Sequence, residues 1–275
     1  MKKLTIFCSH SRPNQAGHTL LEVLVALLIM GVITTAIFQT YIVQHKNYMA
    51  QENVTNVQQN ARAAIQELTR QARMAGYAVP NGVQPIRPAN ANPDSLTVTY
   101  KSGDCDPSLS VAMASMSDKL QVSTSVSCIQ SGQYAYIVHP DSGGGEWFQI
   151  NNVDTLARVI YPALPLSKAY TLGTLVVPLQ QVTYFVDKSD AASPKLMLLQ
   201  RGGVAQVFAE NIIDLQVTYR MKNGYILDAP INVEDVREIL ISLSGQSTDA
   251  QFDTKVNRKN ARVFQTAVYL RNIGS

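Results

Sequence analysis

The residues with the most catalytic look occupy one short stretch, Pro140-Asp141-Ser142-Gly143-Gly144-Gly145, where Ser142 stands as a nucleophile in a Gly-rich turn. A serine of that kind needs a general base within hydrogen-bond reach and an acid to orient it. His10, His18 and His45 all lie near the N-terminus, and only His139, beside Pro140 in the same turn, remains, so a Gly-rich hairpin loop is the expected reading. No Gly-Lys-Ser/Thr follows the glycines, which excludes a phosphate loop. Asp104 and Asp106 flank Cys105 and supply two of the six or more oxygens a Ca²⁺ loop requires, which reads as a solvated turn. Glu234, Asp235, Arg237 and Glu238 form a charged turn or short helix, and Trp147 reads as a packed strand residue. No enzymatic activity, cofactor or metal is expected from these groups.

The more informative chemistry belongs to Glu22. It begins an apolar run, residues 23–38, that contains no other ionisable group. About 20 apolar residues make a membrane span, and an acid at the centre of one costs about 2.5 to 3.5 kcal/mol, less near its end. Such a carboxylate calls for a cationic partner. Residues 1–17 carry Lys2, Lys3 and Arg12 with no acid, and end on Gly17. In an ordinary secretory signal the cleavage site follows the apolar region; here the small residue precedes it. Cutting after Gly17 would leave His18 with a free amine four positions from Glu22.

The arrangement Gly17-His18-Thr19-Leu20-Leu21-Glu22, with a short basic leader before it and an apolar helix after it, resembles the class III signal of type IV prepilins and type II secretion pseudopilins. That resemblance implies cleavage between Gly17 and His18 by a prepilin peptidase, N-methylation of His18, and pairing of Glu22 with the terminal amine of a neighbouring subunit during assembly. The first mature residue of the family is usually Phe; here it is His18. The alternative is a plain single-span anchor with a stray Glu22.

The elements that position these residues follow from patterning. The chain has 23 Lys and Arg against 20 Asp and Glu, and without Lys2, Lys3 and Arg12 the two counts are equal. A neutral mature chain gives no general electrostatic case for nucleic acid. Basic flanks stay cytoplasmic, which places the N-terminus inside, the span in the inner membrane with a single pass, and the larger C-terminal part in the periplasm. Cys8 would leave with the leader; Cys105 and Cys128 would meet an oxidising compartment and pair, the alternative being two buried free thiols.

Prolines are absent between Pro13 and Pro80, and Gly31 is the only glycine between Gly17 and Gly76. A single helix is therefore expected over residues 18–76, with about 20–43 crossing the membrane and 44–76 amphipathic. In the amphipathic part Val57, Ala61, Ala64, Leu68, Ala72 and Ala75 recur at steps of three and four. Gly76 and Pro80 end it. The exported part, residues 77–275, reads as strands with alternating patterns, among them 96–100, 134–138, 147–150, 182–186, 196–199, 213–219, 238–243 and 263–270. Turn signals separate them, including Lys222-Asn223-Gly224 and Ser244-Gly245. Residues 82–93 read as a loop, and residues 102–131 as a small, polar surface excursion stapled by Cys105 and Cys128. The expected fold class is α+β, a pilin-like roll with one antiparallel sheet on the second half of a long N-terminal helix.

The pattern over residues 182–187, 196–201, 207–219 and 263–272, ending Val-Tyr-Leu-Arg-Asn, resembles PilW-type minor pilins, and the related pseudopilin J shares an ending of this kind. The resemblance implies a structural subunit of a type IV pilus whose partners are other pilins and minor pilins, the prepilin peptidase and the inner-membrane assembly machinery, and which passes from the inner membrane to the pilus and cell surface.

Overall fold

The structure, a computed structural model, describes residues 19–117, 119–140, 144–246 and 261–273. The chain divides into two units, Met1–Ala50 and Gln51–Ser275, and helix α1, Leu20–Met74, contributes residues to both.

In the first unit α1 starts at Thr19, whose carbonyl accepts from the Glu22 and Val23 amides at 3.0 and 3.3 Å. The Thr19 hydroxyl accepts from the Glu22 amide at 3.4 Å, and Thr19-Leu20-Leu21-Glu22 has the spacing of a capping box. Residues 20–49 are exposed throughout. Three threonines among them turn inward on the backbone. Thr34, Thr35 and Thr40 donate to the carbonyls of Met30, Gly31 and Ala36 at 2.7, 2.8 and 2.9 Å, so their hydroxyl hydrogens are not left for a surrounding hydrocarbon to desolvate.

In the second unit the other half of α1 buries Val57, Ala61, Ala64, Leu68, Gln71 and Ala72 on one face. Alanine at three of these positions lets strands approach closely. The helix stops at Gly76, which adopts φ +80°, donates its amide to the Thr99 carbonyl at 3.0 Å, and has the Asn272 carbonyl oxygen 2.7 Å from where a Cβ would stand. Asn272 Nδ2 donates to the Arg73 carbonyl at 3.2 Å, capping one of the last carbonyls of the helix.

The strands are β1 Ile86–Ala89, β2 Ser95–Lys101, β3 Leu120–Gln121, β4 Tyr134–Val138, β5 Gly145–Asp154, β6 Val159–Pro162, β7 Leu175–Asp187, β8 Lys195–Gln200, β9 Gln206–Glu210, β10 Ile212–Met221, β11 Ile226–Leu227, β12 Val236–Gln246 and β13 Ala261–Tyr269. Their pairings are antiparallel and form two sheets. One has the order β1-β2-β7-β4-β5-β6-β3 with β8 and β9 branching from β7; the other is β11-β10-β12-β13. The fold is thus α+β, a long N-terminal helix on antiparallel sheets, with two sheets where one was expected.

Both sheets turn their apolar faces to α1. Leu96 and Val98 of β2, Tyr184 of β7, Leu215 and Val217 of β10, and Ile239, Ile241 and Leu243 of β12 join Ala61, Ala64 and Leu68 in one core. Asp94, itself buried, ties the sheets together: its amide donates to the Leu215 carbonyl and its Oδ2 accepts from the Val217 amide, both at 2.8 Å. β7 is long enough to serve two groups of strands. Residues 175–178 pair with β4, and residues 182–187 pair with β8.

Three further expectations are corrected. Residues 82–93 contain β1, paired with β2. Ser244 and Gly245 lie inside β12, where a Cβ on Gly245 would come 2.9 Å from Val57 Cγ1; the glycine serves close approach to the helix rather than a turn. The excursion over residues 102–131 is not only surface, since Leu109, Met113, Leu120, Val122, Val126 and Ile129 are buried with Ile137, Ile150 and Ile160 in a second core.

Candidate functional site

The N-terminal device is what the sequence singles out, and the structure places part of it. Gly17 and His18 lie outside the described residues. Glu22 lies in the first turn of α1, where exposed helix amides and the macrodipole favour negative charge. From it runs an apolar window with mean hydropathy 2.5, none of it buried among the described residues. Leu20 is 82% and Leu24 55% exposed. A soluble core helix would cover such residues. Further along, Tyr41 stacks on His45 with ring centroids 6.0 Å apart, an amphipathic pair of the sort found where apolar and polar media meet.

Beyond residue 50 the helix carries a different kind of site. Glu67 accepts from Arg70 Nε at 2.7 Å, from Gln71 Nε2 at 2.8 Å and from the Tyr184 hydroxyl at 3.3 Å. The Arg70 hydrogen bond leads in holding the Glu67 carboxyl below its ordinary value, against an opposing effect of burial. Burial also raises the Tyr184 phenol, helped by the neighbouring carboxylate. The group fastens one face of α1 to β7.

The remaining candidates are dispersed. Asp141, Ser142 and Gly143 lie outside the described residues. Asp106 pairs with Lys101 Nζ at 2.7 Å. Asp235 and Glu238 meet Lys222 and Arg220 at 3.6 and 2.9 Å, beside the 3₁₀ turn Val233–Asp235. Among the described residues no group of three or more His, Cys, Asp and Glu side chains is arranged to hold a metal ion. Cys105 and Cys128 are joined by a disulfide, Cα to Cα 6.1 Å, at the edge of the second core.

Sequence reasoning did not find two groups. The Thr19 cap was legible as Thr-x-x-Glu. The cluster of Tyr134, Trp147, Gln181 and Arg201 was not, because it brings together four strands or turns far apart in the chain.

Among known families, the model of the prokaryotic N-terminal methylation motif matches residues 12–38. No curated protein matches, and no solved structure matches. The matched span takes in the basic leader's end, Gly17, Glu22 and the exposed apolar run. It supports a type IV pilin-like or pseudopilin protein, structural rather than catalytic, anchored by its N-terminus and connected with prepilin processing and pilus assembly machinery.

Proposed function

We propose that this protein is a minor type IV pilin. It is inserted in the inner membrane with the domain after residue 76 in the periplasm, cut between Gly17 and His18, methylated on His18, and drawn through α1 into a pilus or its initiating complex. The observation that carries the reading is the juxtaposition within residues 12–38 of a methylation motif and a helix whose apolar side chains are wholly uncovered.

Its chemistry is conditional pairing. A charged carboxylate in hydrocarbon is favoured by a cation beside it, and assembly would bring Glu22 a further cation. The amine released by cleavage supplies one on a neighbouring subunit, and a charge pair formed in a low-dielectric bundle is strong and directional. The apolar residues around it gain packing partners in the same step. The domain half of α1 already has its partners, so the assembly surface is confined to the first half and to whatever the sheets expose.

The second reading, which the methylation motif supports equally, is a minor pseudopilin of a type II secretion system. Deleting the gene and complementing it distinguishes the two: loss of surface fibres and twitching supports the pilin, and loss of exoprotein secretion with fibres intact supports the pseudopilin. A Glu22→Ala chain should insert and be cleaved but fail to complement. Full complementation by Glu22→Ala would contradict the role given to this carboxylate.

A further inference from the structure

The larger sheet has a notch. On the side of β7 away from β2, pairing with β4 stops at Pro178 and pairing with β8 begins at Val182; the Gln181 carbonyl still accepts from the Arg201 amide at 3.0 Å, which leaves Leu179 and Gln180 without a strand neighbour there. A hollow of about 410 Å³ opens at this place, within the range of small-ligand clefts.

Arg201 forms one wall. Its guanidinium lies over the Trp147 ring, 4.3 Å from the centroid, and 5.4 Å from that of Tyr134. Nη1 donates to Gln181 Oε1 at 3.0 Å, while Nε is buried and has no hydrogen-bond partner. Arg70, Lys101, Arg220 and Lys222 each meet a carboxylate. Arg201 meets none among the described residues, although burial destabilises its charged form and Arg87 adds a second positive charge nearby. A desolvated guanidinium held rigid by stacking and one amide, with donors to spare, is prepared for an anion of planar, two-oxygen geometry.

The rest of the lining selects among anions. Gln133, Gln180 and Gln200 contribute primary amides, and Ser102 and Ser131 contribute hydroxyls. Amides that both donate and accept match vicinal hydroxyl pairs, whereas an apolar peptide side chain finds only Leu179 and the Tyr134 ring here. A second hollow of about 490 Å³ shares Ser102, Gln180 and Gln200 and is bordered by Tyr184, Phe208 and the Glu67–Arg70 pair, so the acidic group belongs at the Arg201 end. We propose that this notch binds an acidic saccharide, with the sugar carboxylate on Arg201 and its hydroxyls on the surrounding amides.

Trp147 is the only tryptophan of the chain and touches Arg201, so its emission reports on the site. The full chain in detergent micelles is titrated with D-glucuronate, D-glucose, acetate and a glutamate-rich peptide, following emission and heat. The expected result is saturable binding of glucuronate, about tenfold or more tighter than of glucose or acetate. Arg201→Met should abolish it and Gln180→Ala should weaken it several-fold, both with unchanged thermal melting. If Arg201→Met fails to fold, Gln180→Ala carries the test. The proposal is overturned by absence of saturable binding, by acetate or glucose binding as well as glucuronate, by preference for the peptide, or by variants that bind like the parent.

Discussion

Leu28 and Leu68 are the same residue on the same helix, yet Leu28 is 65% exposed and Leu68 is fully buried. Leu28 belongs to a stretch left uncovered among the described residues; Leu68 lies under two sheets. One secondary structure therefore serves two solvents. Its domain half is stabilised by folding; its apolar half suits a membrane anchor and, in the proposed reading, also packs on other subunits. An intramolecular contact fixes the fold; an uncovered apolar surface is available for exchange between environments.

Substitutions can break that contrast. Leu68→Ala should cost about 2 to 5 kcal/mol of domain stability, through lost transfer energy and the cavity left behind, whereas Leu28→Ala should change it by less than about 0.5 kcal/mol. Denaturant unfolding of the full chain in detergent, followed by Trp147 emission, checks both, and comparable losses would erase the contrast. Replacing Cys105 and Cys128 by serine removes a crosslink of 23 residues' separation and should cost roughly 3 kcal/mol. That loss should appear in proteolysis of residues 102–131 while the α1 region stays protected; equal loss of protection in both would deny the second core its independence.

Gly245→Ala sharpens the comparison at one contact. Its Cβ would meet Val57 Cγ1 at 2.9 Å, and overpacking of this kind costs about 1 to 3 kcal/mol. Adding Val57→Ala should recover part of that loss in a melting series. A smaller loss belongs to Glu67→Gln. Glu67 is depressed chiefly by its hydrogen bond from Arg70, so its contribution is complete above the ordinary 4.5 and is lost as pH falls through the lower folded value. Partial exposure of the pair limits the figure to about 0.5 to 1 kcal/mol. The variant should melt lower at neutral pH and converge on the parent in acid; a constant gap across pH would mean that packing, not charge, is responsible.

Much of this was legible in the sequence because single periodicities governed it. The steps of three and four from Val57 to Ala75 are the buried face of α1, and the alternation over residues 238–243 lies in β12. The failures have local causes. Pro178 interrupts the pattern of β7, but its carbonyl accepts from the Ser102 amide at 2.9 Å and the strand continues. Ser244-Gly245 has turn composition, while the space against Val57 decides its role. In the excursion Leu109, Val122 and Ile129 are spread among serines without a period, so their convergence is a property of the folded chain alone. Arg201-Gly202-Gly203 is a turn as composition indicates, yet no spacing announces that Trp147 and Gln181 receive its arginine. At the N-terminus the reverse holds. Gly17, His18 and Glu22 stand out by spacing, and in the proposed reading their partners are an enzyme and another subunit.

The most direct test of the account is the mass and N-terminal peptide of this protein isolated from membranes of cells with and without the prepilin peptidase. The account predicts a chain beginning at His18 with a methylated amine when the peptidase is present, and a chain retaining residues 1–17 when it is absent. A chain that keeps its leader in peptidase-positive membranes, or one cut beyond the apolar run, would contradict it.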